Sequence, residues 1–137
     1  MDYLLDTNAC IALINGDPAT VRTRMQKAAA AGAHILVSSI ALFELWYGVA
    51  KSKKQDFNRQ RLEAFLAGPI LMLPFEDDDS RVAGSIRATL ESVGKPIGAY
   101  DLLMAGQALR HGLTLITANV LEFSRVKGLN WQDWGKP

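Results

Sequence analysis

Tyr3-Leu4-Leu5-Asp6-Thr7-Asn8 joins a short apolar, β-prone run to an acid at its carboxyl end. Comparable runs occur at Ile35–Val37, Ile70–Leu73 and Leu113–Ile116, and the stretches between them read as helices. Short apolar strands alternating with helices predict a central, mostly parallel α/β sheet covered by helices on both faces. Ligands of such sheets gather beyond the carboxyl ends of the strands, and Asp6 falls there.

Local chemistry sets the helix boundaries. Asn15-Gly16-Asp17-Pro18 breaks a first short helix, and Pro18, with its fixed φ, suits the first turn of the next. Ser38 or Ser39 can cap the helix that carries Glu44, Gly68-Pro69 separates a charged helix from the third strand, and Gly94-Lys95-Pro96 ends a helix begun near Asp79. In the Glu44 helix, Leu42, Leu45, Trp46 and Val49 follow one apolar face, while Ile40, Phe43 and Tyr47 make a second. The expectation is a helix buried on both sides, one against the sheet and the other against a helix or a second subunit.

With 137 residues, 49% hydrophobic and 21% charged, residues 1–137 read as a single globular domain without repeat or linker. No apolar run approaches the ~20 residues needed to span a bilayer, and no signal sequence is present, so the reading is a cytoplasmic protein with no membrane association. Cys10 is the only cysteine and His34 and His111 are the only histidines, which excludes an internal disulfide and zinc-finger spacing. Any metal is therefore held by oxygen, favouring Mg²⁺ or Mn²⁺. A net charge of +1 gives no bulk signal for nucleic acid. Lys51, Lys53, Lys54, Arg59 and Arg61 nevertheless crowd one segment opposed by Asp56 alone, and Arg22, Arg24 and Lys27 crowd another; each reads first as a solvated helix face.

Asp6, Glu44 and Asp101 share an unusual setting: each is an acid beside apolar residues. Desolvating an unpaired carboxylate costs several kcal/mol or raises its pKa until it is neutral, so three such acids point to one metal-holding pocket. Local roles compete with this. Asp6 can cap the helix opening at Thr7, and Asp101, after Pro96-Ile97-Gly98, suits a first helical turn. Glu44 is mid-helix and has no capping role. Glu76-Asp77-Asp78-Asp79 is denser in charge but marks a solvated helix N-terminus ahead of Ser80-Arg81-Val82. A strand ending at Thr117 presents Thr117, Asn119 and Glu122 at the same edge as Asp6, although an Asx-type turn with a surface glutamate also accounts for them.

Taken in order, these segments resemble the PIN-domain ribonucleases, and specifically the VapC toxins of bacterial type II toxin-antitoxin pairs. The resemblance rests on Leu5-Asp6-Thr7-Asn8, Ser38-Ser39 through Glu44-Leu45-Trp46-Tyr47-Gly48, Pro96 through Asp101, Thr117-Ala118-Asn119 through Glu122-Phe123, Val126-Lys127-Gly128-Leu129 and Trp134. It implies a PIN-like three-layer sandwich in which Asp6, Glu44 and Asp101 bind Mg²⁺ or Mn²⁺ and RNA is hydrolysed, with translation inhibited. Asn119 stands where many PIN domains carry an aspartate, leaving the fourth corner to Asn119 and Glu122, with Thr7, Asn8 and Thr117 in support. The resemblance further implies a VapB-type antitoxin, a homodimer, contact with operator DNA only through the antitoxin, and a tRNA anticodon loop as target.

Two other classes remain open from the residues. A noncatalytic PIN-like module that holds RNA or a partner is kept in view by Asn119. A phosphoryl-accepting α/β domain also places an Asp at a strand end, but its phosphatase form needs a second Asp where Asn8 stands, and its receiver form needs an early acidic pair that is absent.

Overall fold

The computed structural model describes residues 1–137. Five strands form one parallel sheet: β1 (Tyr3–Leu5), β2 (Ile35–Ser38), β3 (Leu71–Leu73), β4 (Thr114–Ile116) and β5 (Asn130–Gln132), in the order β3-β2-β1-β4-β5. Seven helices connect them: α1 (Thr7–Asn15), α2 (Ala19–Ala30), α3 (Ser39–Lys51), α4 (Gln55–Leu66), α5 (Asp77–Ser92), α6 (Ala99–His111) and α7 (Val120–Phe123). Leu5 pairs with Val37 on one side and Ile116 on the other. β1 is thus the point where the strand order reverses, and a crevice opens there above the carboxyl ends.

Side chains alternate across the strands, so each strand serves two cores. Leu5, Ile35, Val37 and Ile116 pack with Ala9, Leu13, Val21, Leu45 and Leu62 from α1 to α4. Leu4 and Leu115 pack with Leu90, Leu102, Ala105, Ala108 and Phe123 from α5 to α7. This is the expected three-layer α/β arrangement. The close approach of α5 and α6 depends on Gly106, where a Cβ would stand 2.9 Å from that of Ala83. No helix is long and apolar enough to cross a membrane.

Two features depart from the sequence expectation. β5 is a fifth strand in a polar segment too short to show alternation; its pairing with β4 creates it. The second apolar face of α3 is largely uncovered in the chain, with Phe43 54% and Tyr47 58% exposed, and Trp46 of the first face is also 38% exposed. Ile40 and Val49 do reach the core edge, so α3 buries a narrower stripe around Ala41 and Leu45 than its composition suggests.

Candidate active site

Asp6 follows β1 directly. Its backbone N–H continues the ladder to Ile116 O at 3.0 Å, and its Oδ1 accepts from Ala9 N–H at 2.7 Å. It therefore caps α1 and faces the crevice, so its local and convergent readings hold together. Across the crevice, Thr117 N–H bonds Gln132 O at 3.0 Å and the Thr117 side chain is buried. The Thr117 hydroxyl accepts from Asn119 N–H at 2.9 Å and helps to stabilise the Asp6 carboxylate.

Glu44 enters from α3, whose start is fixed by Ser38 Oγ accepting from Ile40 N–H at 2.9 Å. Its Oε1 accepts from Thr7 Oγ1 at 2.6 Å. Asp101 enters from the first turn of α6, after Gly98. Asn119 Nδ2 donates to Asp101 Oδ2 at 3.4 Å and also to Glu122 Oε2. Five of the candidate side chains thus meet at one edge, with Thr7 and Thr117 bonded to members of the set. Asn8 is exposed on α1, lining a shallow cleft with Thr117, Ala118 and Asp133.

Charge is uncompensated here. No Lys, Arg or His nitrogen lies within 4.0 Å of a carboxylate oxygen of Asp6, Glu44, Asp101 or Glu122. Burial raises the Asp6 pKa to about 6; hydrogen bonds from Thr117 and Ala9 oppose the rise, and the charges of Glu44 and Asp133 add to it. Burial likewise raises Asp101 to about 6, reinforced by Asp6, Glu122 and Glu44 and opposed by Asn119. Mutual repulsion of this kind shows that the carboxylates sense one another. An all-oxygen donor set of this charge fits a hard divalent cation, which binds through one or two carboxylates and retains water.

Glu76, Asp79 and His111 form a tighter group, with ligand atoms within 4.8 Å of one another. Its cationic partner is already part of the chain: Arg110 donates to Asp79 Oδ1 and to Glu76 Oε1, each at 2.6 Å. Asp79 Oδ2 also accepts from Glu76 N–H at 2.7 Å, at the start of α5. The acid run is thus a helix N-terminus, as its sequence context indicates, but it is not solvated throughout: Asp79 is fully buried and closed by an ion pair with Arg110. Arg110 lies about 13 Å along α6 from Asp101 by helical rise.

One acid escaped the sequence reading. Asp133 follows β5 at the same sheet edge and its charge raises the Asp6 pKa. Its signal is positional, an acid at a strand's carboxyl end, and that position exists only once β5 pairs with β4. Cys10, beneath Asp6 in α1, is fully buried, and burial pushes its thiol pKa upward, so it offers no nucleophile.

The chain matches the PIN domain family over residues 3–129. It is 37% identical to the tRNA(fMet)-specific endonuclease VapC of Shigella flexneri over 134 residues, covering 98% of each chain. It is 38% identical to Ribonuclease VapC2 of Rickettsia felis over 136 residues, covering 99% of this chain and 100% of that one. Among solved structures, it is similar to VapBC2 from Rickettsia felis bound to a promoter DNA fragment, with a TM-score of 0.91, 37% identity and 98% and 99% of the two chains covered. DNA-bound VapBC from Salmonella typhimurium gives a TM-score of 0.89 at 35% identity, covering 98% of each chain.

Proposed function

The chain belongs to the PIN-domain family, among the VapC ribonuclease toxins, and we propose that it hydrolyses RNA phosphodiester bonds with a Mg²⁺ or Mn²⁺ ion held by Asp6, Asp101 and Glu44. One observation carries the metal assignment: acids from the end of β1, from α3 and from α6 converge at the crevice with no basic side chain to balance them. When bound, a divalent cation supplies Lewis acidity, lowering the pKa of water and offsetting charge on the phosphate.

The chain's own residues prepare the site. Thr7 holds Glu44 in one orientation, and the Ala9 N–H and Thr117 hydroxyl support the charged form of Asp6. Asn119 donates its amide to Asp101 and Glu122, reducing their repulsion without adding a further charge. In this reading Asn119 and Glu122 complete the catalytic set, Asp133 adds negative potential, and Asn8 lines the approach for RNA.

A tRNA anticodon loop is the proposed target, supported by the name of the Shigella flexneri relative. The proposed partner is a VapB-type antitoxin, through which alone operator DNA is contacted, in line with the DNA-bound complexes of similar chains. Two apolar clefts, of about 470 and 250 Å³, share Ile14 and Arg61, and the smaller reaches Glu44. An antitoxin segment lying along them would reach the acids and offer a basic side chain. A homodimer acting in the cytoplasm completes the proposal, with light scattering as the check on its size.

Purified protein is expected to cut RNA only with Mg²⁺ or Mn²⁺, to stop with EDTA, and to lose activity in folded Asp6→Ala and Asp101→Ala variants. Unimpaired cutting by both variants would overturn the assignment. Sequencing of RNA ends after pulsed expression, wild type beside Asp6→Ala, identifies the target; ends confined to messenger RNA would remove tRNA from the proposal.

A further inference from the structure

The cleft that Asn8 shares with Thr117 and Asp133 encloses about 200 Å³ on the β5 side of Asp6. α3 follows β2, on the other side of β1, so the cleft lies away from the helix face left for a second subunit. Its walls are apolar: Ile11 from α1, Val21 from α2 and Trp134, which packs on Tyr3 at 5.0 Å and donates its Nε1–H to Gln132 Oε1 at 3.0 Å. Two acids enter it, Asp17 from the turn between α1 and α2 and Asp133 from the end of β5. Neither carboxylate has a Lys, Arg or His nitrogen within 4.0 Å. Arg24 reaches this segment, yet its guanidinium donates to the backbone carbonyls of Asp133 at 3.1 Å and Lys136 at 3.4 Å. Asp133 is held instead by Gly135, whose N–H donates to Oδ1 at 2.9 Å and whose Cβ, if present, would stand 3.1 Å from that oxygen. The cleft thus carries a fixed carboxylate whose second oxygen faces no donor of the chain.

We infer that this cleft receives one unpaired guanine of the RNA beside the scissile phosphate, with Asp17 and Asp133 accepting from its N1–H and 2-amino group. The inference deepens the nuclease reading, on which the place of the scissile phosphate rests. Charge complementarity chooses the occupant. Carboxylates accept hydrogen bonds, donate none and repel phosphate, so what they take from RNA is a base edge rich in donors. Guanine alone among the four bases sets two donors side by side on its pairing edge. Adenine and cytosine would turn a bare ring nitrogen toward the acids, and uracil holds its single N–H between two carbonyl oxygens. Asn8 adds an amide at the same cleft that can donate to guanine O6. A base taken out of its stack also needs apolar walls over its ring, which Ile11, Val21 and Trp134 provide. Thr117 joins the cleft to the acids, because it lines the first and supports the Asp6 carboxylate in the second, so a base seated here belongs to a nucleotide next to the cut.

The test begins with a randomised single-stranded RNA pool cut by the wild type with Mn²⁺, in which guanine is expected to be enriched at one position beside the cut. At that position inosine, which lacks the 2-amino group, should lower kcat/KM about tenfold, and adenine should lower it further. Asp17→Asn and Asp133→Asn should each reduce the preference for guanine over adenine about tenfold. A wild-type pool without guanine enrichment would overturn the pocket. So would variants that cut all RNAs more slowly and keep the wild-type preference, because the acids would then serve the metal or the fold and read no base. Binding separates the pocket from the nuclease reading. In an Asp6→Asn background, which retains a helix-capping side chain, an oligouridylate with a single guanine should bind about tenfold more tightly than the same chain with inosine, as fluorescence anisotropy reads. Equal binding of the two would overturn the pocket. A wild type that leaves RNA uncut with Mn²⁺ while this preference persists would strike the nuclease reading and leave the guanine pocket standing.

Discussion

Thr7 Oγ1 donates to Glu44 Oε1 at 2.6 Å, tying the first residue of α1 to the middle of α3. The bond joins two segments that the chain keeps far apart, and it aims the carboxylate that has no capping role. Thr7→Val keeps the shape and removes the donor. It is expected to lower kcat roughly tenfold, the loss of one hydrogen bond of about 1.5 kcal/mol to a charged partner, while Thr7→Ser stays near wild type. Steady-state kinetics on both variants decide the point, and a fully active Thr7→Val would show that Glu44 needs no such aim.

Asn119 is placed between Asp101 and Glu122 as a donor to both. Asn119→Asp replaces that donor with a third charge. In EDTA the variant is expected to melt below wild type, whereas Mn²⁺ should raise its melting temperature by more than it raises that of wild type, since tighter binding to the folded state adds stability. Equal metal-induced shifts in the two proteins would remove Asn119 from the metal pocket.

The raised pKa values of Asp6 and Asp101, both about 6 against an ordinary 3.8, have a definite sign. Between about pH 4 and pH 6 the folded chain holds these protons more tightly than the unfolded chain, so their contribution to stability falls as pH rises through that window. Above it the cost of two facing charges is fully present. Asp101→Asn removes part of that cost and, in EDTA near pH 7.5, is expected to exceed wild type by about 1 kcal/mol, a figure discounted for solvent screening. The gap should close below about pH 4. Urea titrations at the two pH values measure it, and a wild type as stable as the variant at the higher pH would mean that Asp101 has a compensating partner.

Gly106 offers a test of the scaffold separate from the chemistry. An added Cβ would come within 2.9 Å of Ala83 Cβ and 3.0 Å of Ala83 N, so α5 and α6 must move apart. Gly106→Ala is expected to lose about 1–3 kcal/mol of stability by overpacking, outweighing its better helix propensity. Denaturant unfolding would show it, and an unchanged midpoint would mean that the helices separate at no cost.

How far the residues alone lead depends on the range of the interactions involved. The strands around Leu4, Val37 and Leu115 are readable because a parallel strand buried on both faces is a continuous apolar run, and the helix starts at Thr7 and Ser39 are readable because capping acts within three residues. β5 is not, since Asn130-Trp131-Gln132 becomes a strand only by pairing with β4, and the place of Asp133 at the sheet edge depends on that pairing. The outer face of α3 is illegible for a related reason: apolar composition does not say whether a neighbour is present to cover Phe43 and Tyr47.

Local chemistry thus carries the order of strands and helices, the oxygen-only donor set and the three acids set among apolar residues. Convergence belongs to the fold: the reversal of strand order at β1 brings Asp6, Glu44, Asp101, Asn119 and Glu122 to one edge and pairs Thr7 with Glu44. Apart from the local Asn119–Glu122 pair, these contacts join residues far apart in the chain, and no propensity or spacing encodes which of them will meet until the sheet is assembled.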